Sequence, residues 1–157
     1  WWDTLGMDVN KKTFGLNLSY RIDYPVDAGL QTRKEILKNP SEHIGKTMFM
    51  TFRINEAPIF AGDAVYNSNV FNSWEAMLAK FQEKPNRLGS SHMRIVTEVK
   101  DNVATVSGGN EGRRVGKGTI KLNPDGSIVA GSYPWKLDGV PRYYLAVYKH
   151  VKVVGTT

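Results

Sequence analysis

The sequence predicts a mainly β, α+β domain: an antiparallel barrel or sandwich of about eight strands, with one helix over about 72–84 and a shorter one over about 28–38. Three observations carry that prediction. Apolar and polar residues alternate with period two over "TFGLNLSYRIDY". "NSWEAMLAKFQEKP" has a helical stripe instead. From residue 92 onward the chain reads as strand and turn without a βαβ rhythm, which argues against a doubly wound nucleotide-binding sheet.

The elements follow in order. Phe14, Leu16, Leu18, Tyr20, Ile22 and Tyr24 share one side of a half-buried strand that Pro25 ends. "LQTRKEILK" reads as a short helix with a thin apolar stripe, stopped before Pro40. In "TMFMTFRI", Met48, Met50, Phe52 and Ile54 form the apolar face of the next strand; "NEAP" turns the chain and "IFA" begins a return strand. Asn72 is placed to cap the main helix with Glu75 at capping-box spacing, and Trp74, Met77, Leu78 and Phe81 form its buried stripe until Pro85. "HMRIVTEV" and "VATVSG" pair across Asp101-Asn102, residues that tolerate the positive φ of a tight hairpin. "RVGKGTIKL" and "SIVAGSY" pair across "NPDG", and "RYYLAVYKHVKVV" closes the chain as a long strand.

Composition bounds the function. The 157 residues fit a single domain, with residues 1–12 set apart as a docking segment, and a 41% hydrophobic, 23% charged mix suits a packed core. The absence of cysteine removes thiol catalysis, disulfides and thiolate metal sites together. A net charge of +6 favours acidic partners, but the basic residues are scattered doublets, including Lys149 to Lys152, that read as a solvated face. No run of five or more basic residues marks a nucleic-acid arm, and sequence-specific nucleic-acid binding is not expected. No apolar run approaches the ~20 residues of a membrane-spanning helix.

Motifs for catalysis are absent. "SGGNEGRRVGKGT" fails the phosphate-loop pattern, since Glu111 stands where a glycine is needed and Gly118 follows Lys117. It also feeds a strand, and what survives is a glycine-rich loop presenting Arg113, Arg114 and Lys117, either solvated or gripping a polyanion. His43, His92 and His150 have no metal-ligand spacing, and Ser91 and His92 point to opposite sides of a strand. The carboxylate pairs Asp23 with Asp27 and Glu98 with Asp101 read as surface groups. No catalytic residue, metal ligand or cofactor is assigned.

The aromatic residues are more telling. Tyr133, Trp135, Tyr144 and Tyr148 cluster near the final strand, where they either complete the core or line a pocket for an apolar or sugar ligand. The first two residues, Trp1 and Trp2, have no methionine before them, which signal cleavage, precursor cleavage or trimming of the chain would each explain; processing with export is the expectation, with a cytoplasmic location as the alternative. Two indoles at a chain end need a dry seat, and Trp1, Trp2, Leu5 and Met7 are expected to dock on a neighbouring copy. The expected function is a self-associating, non-enzymatic β-rich subunit of an extracellular or particle-like homo-oligomer or polymer. A small-ligand-binding barrel, or a barrel isomerase or cyclase, is the alternative.

Overall fold

The computed structural model describes residues 24–68, 70–83, 92–109, 111, 114–130, 134–137 and 139–154. Among the described residues helix α1 (Tyr24–Lys38) is the first element, so Tyr24 opens a helix and does not end a strand; the rest of the expected strand, residues 13–23, lies outside the described residues. The misreading has a physical cause: proline breaks a strand but is tolerated in the first helical turn, where its missing N–H has no partner to lose. Val26, Leu30 and Ile36 face inward from α1. The buried Gly29 lets the helix lie against the strand that follows, where the Thr51 hydroxyl donates to the Val26 carbonyl at 2.8 Å.

A 3-10 helix (Pro40–His43) leads into β1 (Thr47–Arg53). The sequence placed the even residues of β1 on its inner face. Of those residues Met48, Met50 and Phe52 are half-buried and Ile54 is buried, while on the opposite face Phe49 is half-buried against the helix-side residues and Thr51 is fully buried. The return strand does not begin at Ile59. Asp63 accepts the Phe60 N–H at 2.8 Å and Gly62 takes a φ of 96°, so the turn continues and β2 runs from Ala64 to Ser68. All five β2 residues are buried.

Helix α2 (Trp74–Glu83) forms where its stripe predicts, with Met77 fully buried and Trp74 and Leu78 packed beside it. Its cap is Ser73 in place of Asn72: the Ser73 hydroxyl oxygen accepts the Ala76 N–H at 3.1 Å. Strands β3 (His92–Lys100) and β4 (Val103–Gly108) form the expected hairpin, with Asp101 and Asn102 at φ 52° and 58°. Strand β5 (Gly116–Lys121) follows. Of the partner expected at "SIVAGSY", the described residues 127–130 form a single bridge, Leu122 to Ile128, and Ile128 gives its N–H to Ile54; residues 131–133 lie outside the described residues. Strands β6 (Pro134–Leu137) and β7 (Val140–Lys152) close the chain.

The seven antiparallel strands make one sheet of order β1-β7-β2-β3-β4-β5, with β6 also on β7. Among the described residues no strand joins β5 back to β1, so the sheet is not closed. It curls all the same: Ile128 donates to the Ile54 carbonyl and Ile59 to the Gly126 carbonyl, both at 3.0 Å, which brings together the segments following the two end strands. The architecture is barrel-like α+β.

Each face of the sheet has its own core. On the helix side, Val26, Leu30 and Met77 cover Tyr66, Met93, Ile95, Ala146 and Tyr148. Within the curl, Val65, Val96, Val106, Ile120, Ile128 and Val147 fill the interior. Burying both sides of β2 and of the middle of β7 accounts for the unbroken apolar runs from Ala64 to Tyr66 and from Tyr144 to Tyr148. Lys149, read from sequence as part of a solvated basic run, is buried: it pairs with Asp63 and its ammonium lies 4.9 Å from the Phe60 ring centroid.

Candidate functional site

One edge of β7 is covered in two pieces. Strand β1 pairs with Ala146 to Lys152, and β6 pairs with Val140 to Tyr143. Tyr144 and Leu145 lie in the gap between them, and a cleft of about 160 Å³ opens there. Its walls are Tyr143, Tyr144 and Leu145, the end of β1 at Arg53 and Ile54, the segment 128–130, and the start of α2 from Asn72 to Glu75. Arg53 and Glu75 form an ion pair at 2.9 Å, both substantially exposed, so the pair orients side chains more than it stabilises the fold. The volume falls below the ~300–1,000 Å³ of drug-sized sites. The cleft suits a single ring.

Inside the curl, a polar cluster stands next to the cleft, and Tyr144 belongs to both. Arg94 grips Glu111 with two hydrogen bonds, Nε to Oε1 at 2.8 Å and Nη2 to Oε2 at 2.6 Å. Its Nη1 donates to the Tyr144 hydroxyl at 3.2 Å. His92 Nε2 lies 2.8 Å from Glu111 Oε1. Burial pushes the His92 imidazole below the ordinary histidine range despite the neighbouring carboxylate, with Arg142 and Arg94 adding to the shift, so the ring is neutral at pH 7. A carboxylate can only accept, which places the ring proton on Nε2. Burial alone would raise the Glu111 carboxyl; the hydrogen bonds from Arg94 and His92 outweigh it and hold the group below the usual carboxylate range. Arg94 is likewise kept charged by Glu111 against its own burial.

Glycines make room for this cluster. A Cβ at Gly108 or Gly116 would overlap the Glu111 carboxylate, and one at Gly118 would overlap the Arg94 guanidinium. Asn67, fully buried, lies opposite His92 on one side and Tyr144 on the other; neither of its amide atoms has a hydrogen-bond partner among the described residues.

The residues singled out from sequence are scattered relative to this site. Tyr144 lines the cleft, whereas Tyr148 lies in the helix-side core, stacked on Phe49 with centroids 5.1 Å apart. Burial raises the Tyr148 phenol above the ordinary tyrosine range. Trp135 sits on β6 opposite Arg142. Arg114 and Lys117 are exposed, and the Arg114 carbonyl accepts the Glu111 N–H at 2.8 Å. Trp1, Trp2, Leu5, Met7, Arg113 and Tyr133 lie outside the described residues.

None of His92, Arg94 and Glu111 was expected as a site residue: His92 was set aside for want of metal-ligand spacing, and Glu111 counted only against a phosphate loop. Their trace in the sequence is "HMRIV", where two polar residues share a strand face with Val96, and one acid within a glycine-rich stretch. No group of three potential ligands among the described residues could hold a metal ion, and no described helix is long and apolar enough to cross a membrane.

No protein-family model, curated protein or solved structure matches this chain. Function therefore rests on the chemistry of the cleft and the cluster.

Proposed function

We propose that the chain is a binding module whose cleft on β7 takes a single sugar ring. The observation that carries this reading is the break in β7 pairing at Tyr144 and Leu145, which coincides with a ring-sized cleft bordered by Trp74 and Tyr143. Aromatic faces pack against the C–H side of a sugar. Asn72, Ser73, Arg53 and Glu75 supply donors and acceptors for hydroxyl groups at the rim. Calorimetric titration of the full chain with a panel of monosaccharides tests the reading. At least one sugar binds, and Trp74→Ala or Tyr143→Ala weakens it by about tenfold or more. Absence of binding across the panel, or binding that both substitutions leave unchanged, counts against the cleft.

Self-association is a second reading, favoured by one feature: the outer edge of β5 carries no strand among the described residues. Backbone groups along such an edge are a template for another chain, although Lys117 and Lys121 blunt this one. Size-exclusion chromatography of the full chain and of a chain lacking Trp1 and Trp2 addresses the reading. An oligomer that dissociates on truncation supports it; two identical monomers remove it.

A further inference from the structure

We infer that Arg94 and His92 form a concealed oxyanion socket, that Glu111 is its tethered occupant, and that a small free carboxylate takes the same place when Glu111 is withdrawn. Arg94 offers a two-pronged fork, with Nε and Nη2 at 2.8 and 2.6 Å from separate carboxylate oxygens. His92 Nε2 supplies another donor to Oε1 at 2.8 Å. This is the geometry with which a carboxylate from any source is recognised. The occupant does not come from a strand facing the socket. It comes from the stretch between β4 and β5, where its own N–H donates to the Arg114 carbonyl.

Two further observations point to a void that the carboxylate fills. Gly108 and Gly116 pair across β4 and β5, and an added Cβ at either position would occupy the space now held by the Glu111 side chain. Removing that side chain therefore leaves an opening floored by glycine and faced by Arg94 and His92. The unbonded amide of Asn67 lies in register beside His92 and Tyr144, and its N–H is an additional donor within the same interior. With Glu111 in place the socket side chains are at most 12% exposed, and the space beside Gly108 and Gly116 is filled by one carboxylate side chain, which matches the size of a small carboxylic acid. The tether gives Glu111 an effective concentration in the millimolar range or above, so the unaltered chain binds free carboxylate weakly.

The test uses sodium acetate as probe against the full chain, Glu111→Ala, Glu111→Gln and the double variant Glu111→Ala/Arg94→Met, with sodium chloride and acetamide as controls. Glu111→Ala binds acetate at least about tenfold more tightly than the unaltered chain and gains thermal stability from it, while chloride and acetamide do neither. Glu111→Gln, which still fills the space, and the double variant do not gain acetate binding. A folded Glu111→Ala protein that responds equally to acetate and chloride, or binds no more acetate than the unaltered chain, overturns the inference. Should Glu111→Ala not fold in chloride, its refolding yield in acetate decides: recovery in acetate but not acetamide supports the socket, and equal failure in both overturns it. Sugar titrations do not enter this result, so it stands or falls apart from the β7 cleft.

Discussion

Arg94 and Glu111, separated by 17 residues, meet in the interior through two near-parallel hydrogen bonds, and neither residue is more than 6% exposed. A buried pair of this kind is weak evidence of net stability, because each ion gives up its hydration. Losing one partner is a different matter. Arg94→Met leaves the Glu111 carboxylate in the interior without its counter-ion, at a cost of about 3–5 kcal/mol. Urea denaturation checks the figure, and a loss below about 1 kcal/mol means that Glu111 escapes to solvent.

Acid should weaken the fold in two stages. The folded His92 and Glu111 both have depressed pKa values, His92 through burial and Glu111 through its Arg94 and His92 bonds. A group depressed on folding contributes stability above its unfolded pKa and loses it as pH falls towards the folded value. The His92 contribution therefore declines from about pH 6.5 downward, and that of Glu111 from about pH 4.3. In His92→Gln the first decline disappears while the second remains. Urea midpoints measured across that range give the answer, and an unchanged upper decline assigns it to another group.

Glycine-to-alanine changes within helices ordinarily stabilise by up to ~1 kcal/mol. Gly29→Ala should do the reverse. Its Cβ would overlap the Thr51 hydroxyl and press on the Thr51 backbone, so α1 has to lift off β1, and overpacking of this kind costs about 1–3 kcal/mol. A raised melting temperature in Gly29→Ala would show that the helix can shift freely.

The cap of α2 gives a paired prediction. Ser73→Ala removes the acceptor of the Ala76 N–H and costs about 1 kcal/mol, whereas Asn72→Ala is near neutral for stability. Thermal melts of the two variants separate the positions, and the reverse order of effects would restore Asn72 as the cap.

Much of the fold was legible because local chemistry dictates it. The spacing of Trp74, Met77 and Leu78 writes α2, and Asp101-Asn102 writes the β3–β4 hairpin through its positive φ values. Strand β2 was not legible: "AVYNS" is short and ends in polar residues, and it becomes the buried centre of the sheet only because β7 and β3 flank it. Pro25 misled for a related reason, since one residue type both ends strands and begins helices.

The candidate sites were less legible still. Tyr144 and Tyr148 share a spacing and a strand, yet one borders a cleft and the other is stacked in the core. A register shift between Tyr66 and Asn67 in the β2–β7 pairing accompanies the change, and alternation in sequence does not reveal it. His92, Arg94 and Glu111 gave only a faint signal, because an ion pair across 17 residues exists only after β3 and β4 have paired.

By itself, the sequence determined α2 through its apolar spacing and the β3–β4 hairpin through its turn residues, and its lack of cysteine excluded thiol chemistry. The tertiary structure alone decided which strand is central, which tyrosines line the cleft and which carboxylate meets Arg94. The physical reason is range: hydrogen bonding and side-chain period act between near neighbours, whereas burial and charge pairing depend on residues that only the folded sheet brings together.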